Sequence, residues 1–290
     1  MTLLPIPKPM KRFIAAAIVF MAFVGCSPKA EFNAASFNIR YDAAADAKQG
    51  DSWDERKGDV AKVILTHDFD IVGTQEGDNR QIEDLAQLLP DYDYTGHPYG
   101  GKSGDLHTAT IFYKREVMEC LEQGTFWYSP TPEVESIGWD ATDLRLCHWG
   151  KFRHKPSGKE FYFFNSHLYW KLRVAREHSG EVHNQMIQKI AGESPVISVG
   201  DFNSLETEKQ IQDIMTSLGD AYRLTATPPQ GCENTNLGGG NFIGPAYNRI
   251  DFIFVSDDIV VNNFKTIEDK RETGHYPSEH LPVVSNITIE

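Results

Sequence analysis

The chain has 290 residues and a formal net charge of -13, from 28 basic and 41 acidic side chains. Its 40% hydrophobic and 24% charged residues are typical of a globular protein, and they exclude a disordered polypeptide, a collagen-like repeat and a multi-span membrane protein. The excess of acidic residues disfavours a protein that coats nucleic acid with a broad basic face. An enzyme with a small local cation or arginine site remains compatible with this charge.

The first part of the chain has the pattern of an export signal. Lys11 and Arg12 precede an apolar run of 12 residues, which is shorter than the roughly 20 residues that a membrane-spanning helix needs. The following Gly25-Cys26 resembles the processing site of bacterial lipoproteins. We therefore predict a signal peptide over residues 1–25 and an exported protein, held on the periplasmic or cell-surface face through a lipid on Cys26 alone. The alternative is an N-terminal anchor helix.

The remaining chain alternates between strand-like and helix-like segments. Residues 161–164 are too apolar for a half-exposed strand, so both faces of that strand are expected to be covered. The alternation predicts one α/β domain over residues 32–290, with two packed sheets and helices outside them. In chain order we expect a strand at 34–38, a helix at 53–66, a strand at 70–75, a helix at 78–89, strands at 107–114, 118–126, 146–154 and 161–164, a helix at 171–191, a strand at 195–200, a helix at 206–218, a long loop at 231–244, and strands at 249–255 and 282–289.

Several predicted strands end at, or begin beside, a polar residue suited to catalysis. If the last two strands run antiparallel to the others, these residues meet at one edge of the sandwich. Three or more carboxylates at one point need a cation, and oxygen ligands suit Mg²⁺ or Mn²⁺. Such a set suits phosphoester hydrolysis, which needs a metal, a base for water and a donor to the transition state. The positions are Asn38, Glu76, His167, Asp201, Asn203, Asp251, Glu279 and His280.

The same positions carry a resemblance to a known family. In order and spacing over residues 32–290, they resemble the motif series of the endonuclease/exonuclease/phosphatase superfamily, and residues 126–141 are similar to its exported bacterial members. The resemblance implies a four-layer α/β sandwich, with two mixed β-sheets packed face to face, helices outside and a divalent-metal active site. The motifs are Ser-Phe-Asn38, Thr-Gln-Glu76, Asn-Ser-His167, Gly-Asp201-Phe-Asn203, Arg-Ile-Asp251-Phe and Ser-Glu-His280-Leu-Pro.

The resemblance also implies a role for each residue at the metal and the water. Glu76 binds the metal, with Asn38 nearby. Asp201 orients or deprotonates the attacking water, and Asn203 holds the phosphate or that water.

Further roles follow for the residues that face the phosphate. His280 contacts the scissile phosphate, and Asp251 fixes the tautomer of its imidazole from behind. His167 is a second donor to the phosphate. Arg145, which stands just before a predicted strand, is the predicted substrate-binding arginine.

The sequence departs from the family pattern in two places. Glu279 stands where members usually carry Asp; we predict it as a metal ligand whose contact shifts, because its side chain is one methylene longer. Exported relatives often follow the His167 motif with an acidic residue and a second histidine, whereas this chain has Leu168, Tyr169 and Trp170. These side chains cannot bind metal, so the range of substrates is expected to differ.

Two other patterns resemble functional motifs, but we interpret them as structural features. The segment 96–103 fits a phosphate-binding loop, but a β-like run follows it where that mechanism requires a helix. We interpret it as a glycine-rich loop at the rim of the cleft. His178 and His183 lack the spacing of a zinc motif and are expected to lie on a polar helix face.

The sequence therefore predicts a monomeric phosphoester hydrolase that depends on Mg²⁺ or Mn²⁺. Its expected substrate is a phosphorylated small molecule or lipid headgroup, as a phosphatase or phosphodiesterase. One alternative is an endonuclease or exonuclease that uses the same site on DNA or RNA. An alternative of another class is a non-catalytic surface binding protein on this fold.

Overall fold

A computed structural model of the protein describes residues 1–2, 28–96 and 108–290. The predicted signal peptide from residue 3 on, Cys26 and most of the glycine-rich stretch 96–103 lie outside these residues. In chain order the elements are β1 (Ala30–Asn38), a 3-10 helix (Asp46–Gln49), α1 (Trp53–Thr66), β2 (Ile71–Gly77), α2 (Asn79–Leu88), β3 (Tyr92–Thr95), β4 (Thr108–Lys114), β5 (Met118–Trp127), β6 (Leu146–His154), β7 (Glu160–His167), α3 (Arg173–Ala191), β8 (Val196–Asp201), α4 (Lys209–Ile214), β9 (Gly219–Asp220), α5 (Ala221–Leu224), β10 (Asp251–Val255), β11 (Ile259–Val261), β12 (Lys265–Thr266) and β13 (Val283–Ile289).

Within the described residues, the strands form two mixed sheets. The first has the order β11-β13-β1-β2-β4-β3, with β12 also paired to β13, and the second has the order β5-β6-β7-β8-β10-β9. Each sheet contains one parallel pair, β1 with β2 and β7 with β8. A parallel pair needs a crossover connection, and α1 and α3 supply it.

Apolar side chains divide the molecule into four layers. One core between the sheets contains Ile71 and Phe163. The helices α1 and α2 cover the outer face of the first sheet around Trp53, and α3 and α4 cover the outer face of the second around Met186. Phe164 faces this outer core while Phe163 faces the inner one, so β7 is covered on both faces as predicted. The predicted four-layer α/β sandwich is confirmed.

A pair of buried amides joins the two sheets across the inner core. Gln75 Nε2 donates to Asn165 Oδ1 over 2.7 Å. Asn165 Nδ2 in turn donates to the carbonyl oxygens of Thr74 and Thr110, at 2.9 Å each. A buried amide is costly unless its partners are present, so these bonds fix the position of β7 against β2 and β4.

The structure differs from the sequence prediction in its smallest elements and in one histidine. The strands β3, β9, β11 and β12 and helix α5 have two to four residues each, too few to show a period of side-chain hydropathy. His178 is exposed as predicted, but His183 is buried, so the polar-face prediction is wrong for it. Among the helices in the described part of the chain, none combines the length and hydropathy that crossing a bilayer requires.

Candidate active site

The pairing of the strands brings the predicted polar residues to one edge of both sheets. Parallel pairing of β7 with β8 places His167 opposite Asp201, and antiparallel pairing of β10 with β8 places Asp251 opposite the same residue. In the first sheet, β1 ends at Asn38 beside the end of β2, where Glu76 lies. The last two strands predicted from the sequence correspond to β10 and β13. They run antiparallel to β8 and β1, which is the condition for the polar residues to meet at one edge.

Glu76 reaches the cleft through an irregularity at the end of β2. The register between β2 and β4 shifts between Gln75 and Gly77, and Glu76 has a φ of 69°. A left-handed backbone costs a non-glycine residue about 1–3 kcal/mol and is kept where the surrounding structure demands it. The bulge turns the carboxylate toward the cleft, where it accepts from Asn38 Nδ2 at 3.1 Å and from the Tyr41 backbone N–H at 3.2 Å.

Asp201 lies at the centre of the site. Its Oδ2 accepts from Asn38 Nδ2 at 3.0 Å, and the Nε2 atoms of His167 and His280 lie 3.6 and 3.7 Å from it. Its Oδ1 accepts from the Asn203 backbone N–H at 2.9 Å. Burial raises the pKa of Asp201 above its usual range, although the nearby charge of His280 opposes this shift.

His280 is held by a chain of side chains behind it. Its Nδ1 lies 2.9 Å from Asp251 Oδ2, and Thr235 Oγ1 donates to the same carboxylate oxygen. Burial lowers the pKa of His280, but the charges of Asp251 and Asp201 outweigh burial and raise that pKa above its usual range. Because Asp251 fixes Nδ1 as a donor, Nε2 is directed to the side where Asp201 lies.

The asparagines act on their neighbours in different ways. Asn38 donates through Nδ2 to both Glu76 and Asp201, while its Oδ1 accepts from the Arg40 backbone N–H at 3.0 Å. Asn203 has a φ of 48° and donates through Nδ2 to the Leu168 carbonyl oxygen at 3.1 Å. Asn38 therefore separates two carboxylates, and Asn203 ties the loop after β8 to the loop after β7.

The floor of a cavity of about 710 Å³ is formed by Glu76, His167, Asp201, Asn203 and His280, and Asn38 and Asp251 lie behind it. Arg145 lines the cavity, and its guanidinium lies over the ring of Tyr169 with the ring centroid 5.8 Å from Cζ. Its buried Nε has no hydrogen-bond partner among the described residues. Burial lowers the pKa of Arg145, while the charges of Glu76 and Asp201 oppose that shift. The position of Arg145 suits the predicted contact with phosphate.

The structure gives Glu279 other partners than a metal. Its Oε1 pairs with Arg40 Nη1, and its Oε2 accepts from the Gly240 backbone N–H. Arg40 pairs at the same time with Asp46. Glu279 lines the cavity, but it belongs to neither of the two groups of side chains whose atoms lie close enough to share an ion. Its role as a metal ligand stays a prediction that these contacts do not favour.

Most of the sequence matches one family. The family model described as the endonuclease/exonuclease/phosphatase family matches residues 35–280. The chain belongs to this family. Members of the superfamily are hydrolases that act on phosphoesters, and its enzymes generally depend on a divalent metal.

Solved structures of relatives agree with this assignment. An endonuclease/exonuclease/phosphatase family protein from Bacteroides thetaiotaomicron is 32% identical, with a TM-score of 0.83, over 91% of this chain and 99% of that one. A mannosyl-6-phosphatase from the same organism is 33% identical, with a TM-score of 0.81, over 88% of this chain and 99% of that one.

The curated relatives are more distant, and this chain spans only part of their length. Nocturnin from Drosophila melanogaster is 22% identical over 281 residues, which cover 82% of this chain and 42% of that protein. Across the curated relatives that match, the shared part covers between 22% and 59% of their length.

The side chains at the floor fit the divalent metal that the family implies. The ligand atoms of Glu76, His167 and Asp201 lie within 4.8 Å of one another, and so do those of Asp201, Asp251 and His280. The first group offers two carboxylates and an imidazole, a donor set that accepts Mg²⁺ or Mn²⁺. A cation beside Asp201 would also offset the effect of burial on its charge.

Several residues in or behind the cavity are not predicted from the sequence. Arg40 stands two residues after the Asn38 motif, so proximity to a motif was a usable signal. Thr235 and Tyr247 lie in or beside the long loop, where no hydropathy pattern marks a position. Trp170 departs from the family pattern, but the sequence does not indicate that it lines the cavity. Arg40, Trp170 and Tyr247 line the cavity, and Thr235 reaches Asp251 from behind.

Proposed function

We propose that this protein is a divalent-metal-dependent phosphatase that hydrolyses the phosphomonoester of a small molecule. The observation that carries the proposal is the arrangement around Asp201, where two imidazole nitrogens lie within 3.7 Å of one carboxylate oxygen. That geometry combines an acceptor for the proton of water with two donors for phosphate oxygens. The likeness to the mannosyl-6-phosphatase supports a monoester substrate.

Each residue at the floor has a defined task in this proposal. Asp201 orients the attacking water and accepts its proton, while Asn203 holds the backbone of the Asp201 loop in place. His280, protonated on both ring nitrogens, donates from Nε2 to the phosphate and from Nδ1 to Asp251. His167 donates to a second phosphate oxygen.

The metal is held in this proposal by the carboxylate of Glu76, beside Asp201 and His167. When bound, a divalent ion neutralises charge on the phosphate oxygens and on the leaving oxygen. Asn38 keeps the two carboxylates apart by donating to both. Arg145 supplies a fixed positive charge on the same cavity wall.

The charge of the cavity favours one phosphate over a chain of them. Among the described residues that line it, the arginine and lysine side chains are Arg40 and Arg145, and Arg40 is already paired with Asp46 and Glu279. Four carboxylates line the same cavity. A protein that follows a nucleic-acid backbone needs a series of unpaired basic residues, so DNA and RNA are the less favoured substrates.

The test is a comparison of substrates under controlled metal conditions. Phosphate release is measured from mannose 6-phosphate and an aryl phosphodiester, and cleavage from single-stranded DNA and RNA, each with Mg²⁺, with Mn²⁺ and with EDTA. We expect the monoester to be hydrolysed fastest and EDTA to abolish turnover. Turnover that survives EDTA would contradict the mechanism. Faster cleavage of DNA or RNA would establish the nuclease alternative, and no turnover of any phosphoester would favour a binding protein.

We also propose that the protein is an exported lipoprotein with Cys26 as its lipidated residue. The support is the sequence pattern of residues 1–26. Metabolic labelling with a radioactive fatty acid should mark the wild-type protein in membrane fractions and leave Cys26→Ser unlabelled. Equal labelling of the two proteins, or a wild-type protein that carries no label, would contradict the proposal.

A further inference from the structure

Two aromatic side chains stand exposed at the mouth of the catalytic cavity. Trp170 and Tyr247 are each 57% exposed, and both line the cavity whose floor contains Asp201 and His280. A large ring gains stability when it packs against a partner. Both rings therefore line the same cavity as the groups proposed to bind phosphate.

The sequence after the His167 motif fixes the place of Trp170. The Leu168 N–H donates to the Asp201 carbonyl oxygen at 3.0 Å, and Leu168 is fully buried. Tyr169 is only 2% exposed, and its hydroxyl lies 3.1 Å from Thr142 Oγ1. Because the two residues before it are anchored, Trp170 is held at the rim. The residues that depart from the family pattern therefore have two effects. Tyr169 packs against the guanidinium of Arg145, and Trp170 adds an aromatic ring at the rim.

Tyr247 packs on a wall made of glycine. Gly238 has a φ of +83°, and a Cβ atom there would lie 2.9 Å from Tyr247 Cε1, so a larger residue would displace the ring. At Gly239 a Cβ atom would have no neighbour within 4 Å. Both glycines line the cavity. The wall is thus smooth backbone, with open space in front of it.

Two carboxylates outside the group around Asp201 line the same cavity as these rings. They are Asp143, which is exposed, and Glu279. Arg40, the nearest cation to Glu279, is paired with two carboxylates. Carboxylates accept hydrogen bonds from hydroxyl groups and repel a second phosphate. A ring with hydroxyl groups and an apolar C–H face satisfies both the carboxylates and the aromatic faces.

We propose that Trp170, Tyr247 and the Gly238–Gly239 wall form a subsite for the leaving group, and that this leaving group is a hydroxylated ring of the hexose type. The proposal rests on the phosphatase function proposed above, and adds the residues that select the substrate. A phosphorylated molecule without a ring has nothing to place in this subsite.

The first experiment compares two substrates in matched variants. Trp170→Ala and Tyr247→Ala are assayed on mannose 6-phosphate and on glycerol phosphate, with Leu172→Ala as the control because Leu172 is an exposed apolar residue that does not line the cavity. We expect each alanine variant to raise KM for mannose 6-phosphate about tenfold with kcat nearly unchanged, and to leave glycerol phosphate hydrolysis unaltered. Trp170→Phe should restore most of the lost affinity.

The second experiment reads binding without turnover. Tryptophan fluorescence of the Asp201→Asn protein with Mg²⁺ is titrated with mannose 6-phosphate, and the titration is repeated with Trp170→Phe added. A saturable change that disappears with Trp170→Phe supports the subsite, even if the wild-type protein hydrolyses no phosphoester. In that case the proposed phosphatase function is wrong, but the proposed contact of Trp170 with the sugar is supported.

The opposite results overturn the subsite. Equal effects of the alanine variants on both substrates, or no effect on mannose 6-phosphate, would show that the rings do not contact the leaving group. Effects confined to a mononucleotide assayed in parallel would show that the rings stack on a base and not on a sugar. Turnover with no fluorescence change at Trp170 would leave the phosphatase function intact without this subsite.

Discussion

The floor and the rim of the cavity are built in different ways. The floor, taken with the side chains directly behind it, comprises Asn38, Glu76, His167, Asp201, Asp251 and His280, which stand at or beside the ends of strands and, apart from the partly exposed Glu76, are at most 6% exposed. The rim comprises Arg40, Asp143, Trp170, the Gly238–Gly239 segment, Tyr247 and Glu279, which lie on loops.

The contrast separates chemistry from selectivity. Floor residues are placed by hydrogen-bonded strand pairing, which leaves little freedom, whereas rim residues are placed by side-chain contacts between loops. Changes at the floor should therefore remove the reaction, and changes at the rim should alter which molecule reacts.

The largest effect is expected at the centre of the floor. Asp201→Asn removes the proton acceptor while keeping the size of the side chain, and should lower kcat by about 10³-fold. The matched rim change is Asp143→Asn, which should keep kcat within about threefold, because an exposed amide still accepts hydrogen bonds from the substrate. Steady-state kinetics with Mg²⁺ measure both. Similar losses in the two variants would remove the distinction between floor and rim.

A smaller loss is expected where a residue acts through another. Asp251→Asn no longer fixes the tautomer of His280 and should lower kcat about 10–100-fold. It should also lower the pKa of His280, because the negative charge that favours the protonated imidazole is lost. The fall of kcat with rising pH should therefore begin at a lower pH. Thr235→Val, which removes the donor to Asp251, should give a weaker loss in the same direction. An unchanged pH profile in Asp251→Asn would contradict this role.

Glu279 tests the boundary between the two regions. If it anchors the rim, Glu279→Gln should leave Mn²⁺ affinity within about twofold and raise KM by about tenfold, because Arg40 and the Gly240 N–H lose a charged partner. Calorimetric titration with Mn²⁺ gives the affinity directly. A loss of Mn²⁺ binding as large as that of Glu76→Gln would instead make Glu279 a metal ligand of the floor.

The smallest effect concerns two buried histidines that do not line the cavity, His148 and His183. Burial lowers the pKa of His148 and of His183 to about 3. Below pH 6.5 these histidines are protonated in the unfolded chain but stay neutral in the folded protein. Stability that is present above pH 6.5 is therefore lost as the pH falls. Each histidine should cost about 1.4 kcal/mol of unfolding free energy between pH 7.5 and 5.5. Urea unfolding at both values measures the loss, and imidazole resonances that titrate above pH 5 would contradict it.

The sequence predicted the floor because the rules that place it are local. A strand that ends in a polar residue, repeated in several strands, implies a common edge once the directions are known, and the pairing of Asp251 with Asp201 shows that it forms. The rim could not be predicted in this way. Tyr247 and Gly238 meet through a turn of the long loop, and the pairing of Glu279 with Arg40 joins residues far apart in the chain. Neither leaves a period or a motif in the sequence.

The buried bonds between the two sheets have a consequence for how activity is acquired during folding. Asn38 of the first sheet donates to Asp201 of the second, and Gln75 bonds to Asn165 across the same gap. An intermediate in which only one sheet has formed therefore contains half of a catalytic centre and a set of amides without partners. During refolding, enzymatic activity should return together with the association of the sheets, later than the circular dichroism signal of either sheet alone.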